Sequence, residues 1–166
     1  MDDKVLKAFL AFLIVARQKN GYVSGVAGSS ILLGGKQYKF EEAGFFYQDT
    51  FYGFDPFVGQ ELVWAYDIGF MWAMNYYGGL IEDRGLISGK MIWQEETYKF
   101  LKKALLGSRI ETPFRGPNHF SDGEWAYKNE WDVGSNISSF KGIERIYYKH
   151  ASVYSGDYHG GFVKEK

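Results

Sequence analysis

Aromatic residues and glycines come in blocks through most of this chain, and that pairing restricts it to a strand-rich fold with large side chains inside. Of its 166 residues, 14 are Phe, 13 Tyr, 5 Trp and 21 Gly. Aromatic side chains favour extended, half-buried backbone, and clustered Gly marks the turns and bulges between strands. The aromatic surplus has two readings: a β-rich core that needs bulk to fill it, or an aromatic-lined ligand pocket. With 46% hydrophobic residues, there is enough apolar surface for a sizeable core, and the length fits a single domain over 1–166.

One hairpin is clear. Gln60 to Tyr66 and Phe70 to Tyr77 flank Asp67-Ile68-Gly69, a short Gly-containing loop. Folding about Ile68 sets Trp64 opposite Trp72, Tyr66 opposite Phe70 and Leu62 opposite Met74, a bulky face suited to the core. The other face then pairs Val63 with Ala73, Ala65 with Met71 and Glu61 with Asn75. Further strands are expected over 38–52 (two strands or one bent strand), 124–133, 143–149 and 152–159. A helix is expected over about 3–19, where Val5, Leu6, Phe9, Leu10, Leu13 and Ile14 recur with helical spacing, Asp2 or Asp3 caps the start and Asn20-Gly21 ends it. A second helix over about 93–106 carries Trp93, Thr97, Phe100, Leu101, Ala104 and Leu105 as its stripe and an exposed Glu95–Lys99 pair. The Gly/Ser-rich connection 20–36 is a candidate lid.

The pattern Phe-x-Gly-x-Glu occurs at Phe57-Val58-Gly59-Gln60-Glu61 and again at Phe140-Lys141-Gly142-Ile143-Glu144. Each copy leads into a hairpin, and the hairpins end alike, Asn75-Tyr76-Tyr77-Gly78-Gly79 against Asp157-Tyr158-His159-Gly160-Gly161. Read as an internal repeat, this predicts an α+β fold: an antiparallel sheet with two main helices, arranged as a tandem pseudo-two-fold repeat of helix then about three strands, over about 1–82 and 83–166. Pockets favour interfaces between structural halves, so the ligand site is expected between them. A turn at His150-Ala151 places Glu144 opposite Asp157 in the second hairpin.

The near-balanced charge, −1 at neutral pH, argues against general nucleic-acid binding, which uses a basic face. With no cysteine, disulfides, thiol catalysis and thiolate metal sites are excluded, and a reducing cytoplasm is the natural compartment. The apolar run Val5 to Ala16 is short of the ~20 residues a bilayer span requires and contains Lys7, so no membrane insertion is expected. It lacks the flanks of a signal peptide.

His159 is the best single candidate for acid–base work, since it ends a strand and precedes Gly160-Gly161, where backbone can approach a ligand. Glu144 and Asp157 are its candidate partners, either orienting its proton or acting as a carboxylate pair. The plain alternative is a strand-end His held by local hydrogen bonds. Arg115, between Phe114 and Gly116-Pro117, suits an anion or carboxylate with its planar fork, or else forms an ordinary salt bridge. Glu61, Asn75, Tyr76, Tyr77 and Tyr158 complete the candidate ligand-binding set with Arg115 and His159. No metal is expected, because His119, His150 and His159 have no ligand spacing, and no cofactor motif is present. No Gly-x-Ser-x-Gly elbow occurs.

The segments Trp72-Ala73-Met74-Asn75-Tyr76-Tyr77-Gly78, Phe114-Arg115-Gly116-Pro117, and Ile146-Tyr147-Tyr148 leading to Tyr158-His159-Gly160-Gly161 resemble an uncharacterised prokaryotic domain-of-unknown-function family, over about 38–162. The resemblance implies a domain that occurs alone or fused behind a helix-turn-helix segment, hence a sensor or regulatory module, and it carries no assigned activity. No DNA-binding segment is expected ahead of the first helix here. Three functions follow as expectations: a small-molecule binding or sensing domain; a cofactor-independent hydrolase, lyase or isomerase using His159 with Glu144 or Asp157; or a protein-interaction module or homodimer.

Overall fold

In the computed structural model the described residues are 2–66, 69–81 and 90–163. Helix α1 (Asp3–Asn20) is followed by five strands, β1 (Ser29–Ser30), β2 (Lys36–Glu42), β3 (Phe45–Gly53), β4 (Phe57–Ala65) and β5 (Phe70–Leu80). Helix α2 (Lys90–Leu105) is followed by β6 (His119–Asp122), β7 (Trp125–Trp131), β8 (Ser139–Tyr148) and β9 (Ala151–Val163). All nine strands form one antiparallel sheet in the order β1-β2-β3-β4-β5-β9-β8-β7-β6.

This overturns the expected α+β tandem repeat of helix and three strands. The chain is predominantly β, and nothing separates two modules: β5 and β9 pair from Met71↔Val163 to Leu80↔Tyr154, so the sheet is continuous through its middle. The helices are followed by unequal numbers of strands among the described residues, and the expected boundary at 82–83 lies outside them. The recurring Phe-x-Gly-x-Glu pattern has a local cause on two strands of this one sheet, given below.

The local signals read well where they depend on near neighbours. Asp2 caps α1, its carboxylate accepting from the Lys4 amide at 3.2 Å, and Arg17 and Lys19 occupy the last turn. Glu95 and Lys99 pair on α2 at 3.7 Å. The connection expected over 20–36 is less bare than its composition suggests, holding a 3-10 turn at Tyr22–Ser24 and the short β1.

Both helices lie on one face of the sheet. Phe9, Phe12, Leu13 and Ala16 of α1 bury against Phe45, Val63, Ala65, Trp72 and Met74. Tyr98, Leu101, Ala104 and Leu105 of α2 bury against Tyr127, Ile146 and Tyr154. Asp55 fastens α2 to the end of β5, accepting from the Leu80 amide (2.8 Å), the Tyr98 hydroxyl (3.1 Å) and the Gln94 amide (3.1 Å). The Trp93 side chain, expected on the α2 stripe, lies outside the described residues, as does Ile68 in the first hairpin loop.

The hairpin registers differ from expectation by one residue. The first loop runs from Tyr66 to Gly69, with the Gly69 amide donating to the Ala65 carbonyl at 2.9 Å. Val63 therefore faces Trp72, Trp64 faces Met71, and Gln60 rather than Glu61 faces Asn75. A one-residue slip moves every side chain of a strand to the other face. Glu61, Val63 and Ala65 consequently point into the core, and Leu62 and Trp64 do not. In the second hairpin the turn is Lys149–His150, both with left-handed φ (46° and 69°) as a two-residue hairpin turn requires. A bulge between Ile146 and Tyr147 then sets Glu144 opposite Gly156, and Ile143 opposite Asp157.

Candidate functional site

Between the two helices, on the covered face of the sheet, lies a cleft with a volume of about 70 Å³. One water requires roughly 10–15 Å³ on the same measure, so the cleft has room for several non-hydrogen atoms. Its walls are apolar and aromatic, from Tyr22, Phe51, Phe54, Phe57, Tyr98 and Leu101. Its floor is polar: Arg17, Tyr47, Asp49, Glu61, Tyr76 and Arg115. Phe54 is 60% exposed, which puts it at the mouth.

The floor is built by alternation. Phe45, Tyr47, Asp49 and Phe51 occupy every second position of β3 and share its inner face, so a carboxylate sits in an aromatic row with 3% exposure. Glu61 is brought beside it, opposite Asp49 in the β3–β4 register. Arg17, one and two helical turns beyond Leu13 and Phe9 on the buried stripe of α1, reaches Glu61 with Nε at 3.1 and 3.0 Å to its two oxygens and with Nη2 at 2.5 Å. The same guanidinium donates to the carbonyls of Pro113 (2.5 Å) and Phe114 (3.0 Å), and Tyr47 donates to Glu61 at 3.2 Å.

A second buried ion pair stands next to this one. Arg115 donates to Oε1 of Glu144 from Nη2 at 2.9 Å and from Nε at 3.3 Å, and Tyr127 (2.7 Å) and Tyr154 (2.9 Å) donate to the same carboxylate. Arg115 also lies over the Tyr76 ring, 4.9 Å from its centre. Burial is the largest single influence on Arg115 and opposes its charge, but Glu144, Tyr154 and Glu61 together outweigh it and keep the guanidinium ionised.

Two tyrosines cross a neighbouring strand to reach their partners. Tyr76 on β5 passes over β4 at Gly59 and donates to Oδ1 of Asp49 at 2.6 Å. Tyr158 on β9 passes over β8 at Gly142 and donates to Oδ1 of Asn129 on β7 at 2.6 Å. A Cβ at Gly59 would collide with the Tyr76 phenol, and one at Gly142 with that of Tyr158. This is the local cause of Phe-x-Gly-x-Glu: on each strand the Gly clears a path for a tyrosine, and the Glu two residues on, on the same face, anchors an arginine.

Asp49 is the electrostatic exception. Burial, and then the neighbouring charge of Glu61, push its carboxyl up to about 7, against the opposing effects of the Tyr76 hydrogen bond, Arg115 and Arg17. Burial and the nearby carboxylates also hold the Tyr47 and Tyr76 phenols well above their ordinary range, so both stay neutral donors.

The residues expected to form the site divide between two faces. Glu61, Tyr76 and Arg115 line the cleft, and Tyr158 is buried on the same face. Asn75, Tyr77, Asp157 and His159 belong to the opposite face, with Tyr77, Asp157 and His159 exposed. There the Asn75 amide lies 3.5 Å from Nε2 of His159, and Gln60 donates to Asn75 at 2.8 Å. Glu144 is 1% exposed on the inner face, so His159, Asp157 and Glu144 do not converge, and His159 lies on the opposite face of the sheet from the cleft that Arg115 lines. Arg17, Tyr47 and Asp49 were not anticipated. The period-two row Phe45-Tyr47-Asp49-Phe51 was the available signal for Asp49, and the stripe Phe9-Leu13-Arg17 was the one for Arg17.

Among the described residues no group of three or more His, Asp or Glu could hold a metal ion, and no helix is long and apolar enough to cross a membrane. The sequence model of a domain of unknown function, DUF5680, matches residues 49–163. The chain belongs to the DUF5680 family. The DUF5680 match takes in Asp49, Glu61, Tyr76, Arg115 and Glu144, while Arg17 and Tyr22 lie outside it. No curated protein and no solved structure matches this DUF5680 chain.

Proposed function

We propose that this domain binds a small molecule in the cleft between its sheet and its two helices. The observation that carries the reading is a cleft with aromatic walls over a polar floor whose side chains are already fixed by buried ion pairs and tyrosine hydrogen bonds. Such convergence of apolar lining with a few placed polar groups is what small-ligand sites share. A fusion behind a helix-turn-helix segment, as the family resemblance implies, would make such a domain a sensor. The test is a thermal-shift screen of metabolites, with mass spectrometry of small molecules released from natively purified protein. A ligand at 100 times its Kd stabilises the folded state by about 2.7 kcal/mol. Val23→Trp, which fills the cleft, should abolish the shift. Retention or stabilisation that survives Val23→Trp would place the ligand elsewhere and remove this reading.

Acid–base catalysis without a cofactor is the second reading, favoured by one observation. Burial and the neighbouring Glu61 push the Asp49 carboxyl up to about 7 on the cleft floor, where a carboxyl can both take and return a proton. Any stabilising metabolite should be followed by NMR for chemical conversion. Conversion lost in Asp49→Asn would identify an enzyme, and an unchanged metabolite a binder.

A further inference from the structure

The ion pairs around the cleft leave one of its carboxylates without a cation partner among the described residues. Arg17 is paired with Glu61 and Arg115 with Glu144. Asp49 is the carboxylate left over: among the described residues no cation lies within ion-pair distance of it, and its only hydrogen bond is the one from Tyr76 to Oδ1. Its other oxygen takes no hydrogen bond from those residues, although the side chain is 3% exposed and lines the cleft. A buried carboxylate in that position calls for a proton or a cation.

The walls suit a cation. Phe54 packs on Tyr98 with ring centres 5.1 Å apart, Phe57 packs on both Tyr98 and Tyr76 at 6.0 Å, and Tyr22 packs on Phe51 at 6.4 Å. Aromatic faces attract ammonium groups, most strongly where water is excluded. Tyr22 already has the ammonium of Lys102 4.7 Å from its ring centre, and Tyr76 has Arg115 over it. Phe51, Phe54, Phe57 and Tyr98 have no cation over them among the described residues. An anion finds the opposite situation, since each cleft guanidinium is held to a carboxylate.

We infer that the cleft selects a monocationic ligand, a small substituted or quaternary ammonium compound, with Asp49 as its counter-ion and the phenylalanine and tyrosine rings as its cage. This rests on the small-molecule reading above and specifies its ligand class. In the empty cleft a proton on Asp49 does the work of the cation, so proton and ligand compete. The charged and titratable groups facing Asp49 are Glu61 on β4, Tyr76 on β5, Tyr47 on its own strand, Tyr38 on β2, Arg17 on α1 and Arg115 from the loop before β6. The tyrosines are all shifted upward by burial and nearby carboxylates, so Asp49 is the group that changes charge near neutral pH.

The experiment titrates the full chain calorimetrically with choline, with its uncharged carbon isostere dimethylbutanol and with dimethylbutanoate, at pH 8 and pH 6. Choline carries a permanent charge, so any pH effect belongs to the protein. The expected result is binding of choline at least tenfold tighter than the alcohol at pH 8, weakening by about tenfold at pH 6 as Asp49 takes up its proton. Asp49→Asn, which keeps an acceptor for Tyr76, should equalise choline and the alcohol. Should that variant fail to fold, the pH dependence in the wild-type chain decides the matter alone. Tighter binding of the alcohol or of dimethylbutanoate overturns the cation assignment and leaves a small-molecule site standing. Binding of none of the three also overturns the cation assignment, and the metabolite screen with Val23→Trp then decides the small-molecule reading.

Discussion

Tyr76 donates its hydroxyl to Asp49 at 2.6 Å, and it spans a whole intervening strand to do so. The two residues sit on β5 and β3, with β4 between them, so the phenol must lie flat over β4. Gly59, directly opposite Tyr76 in the register, makes that possible by having no side chain. The floor of the cleft therefore depends on an absent methyl group.

Gly59→Ala should displace Tyr76 and break its bond to Asp49. Overpacking of this kind destabilises by about 1–3 kcal/mol. Urea unfolding measures the loss. Gly142→Ala, which obstructs Tyr158 in the same way, should behave alike. An unchanged denaturation midpoint in both would mean that the phenols do not need these paths.

Glu144→Leu removes the acceptor of Arg115, Tyr127 and Tyr154 together. Breaking a buried pair from one side typically costs about 3–5 kcal/mol, because the remaining charge is left uncompensated. The double variant Glu144→Leu with Arg115→Met should recover part of that loss. Equilibrium unfolding of both variants gives the comparison.

The pH dependence of stability has a definite sign. The Asp49 carboxyl is raised from 3.8 to about 7 on folding. Between those values the folded state holds a proton that the unfolded state has released, so stability falls as pH rises through this window. Its contribution is fully present below about pH 4 and fully lost above about pH 7. At about 1.4 kcal/mol per unit, the loss is on the order of 4 kcal/mol. Asp49→Asn should flatten the profile and be the more stable protein at pH 8, as thermal unfolding across pH 4–8 would reveal.

His159→Ala should leave both stability and ligand binding nearly unchanged. The residue is exposed on the outer face, away from the cleft, and such substitutions usually fall within about 0.5 kcal/mol. A variant that folds normally yet loses ligand binding or turnover would return His159 to the centre of the function.

Parts of this molecule were legible in its residues because near neighbours decide them. The α1 cap at Asp2, the Glu95–Lys99 pair on α2 and the two hairpins all follow from contacts within a few positions. The cleft was only half legible. Glu61, Tyr76 and Arg115 could be picked out as candidates, but Asn75, Tyr77, Asp157 and His159 went with them, although the fold sends these four to the other face. By position Arg17 is an ordinary basic residue in the last turn of α1, and only its seat against Glu61 and the Pro113 and Phe114 carbonyls shows otherwise.

Aromatic strands punctuated by Gly dictated a sheet core, and near-neighbour signals set both ends of α1 and the last turn of α2, whose start lies at Lys90 rather than at the expected Trp93. The sequence by itself also put Gly and Glu two apart on two strands, which requires both to share a face. Tertiary structure alone decided that β5 pairs with β9 to make one continuous sheet, and which face each strand turns inward. The physical reason is register: a hairpin loop one residue longer, or a single bulge, leaves the local pattern intact while reversing every side chain of the strand, and the burial that selects between the alternatives comes from helices and strands distant in the chain.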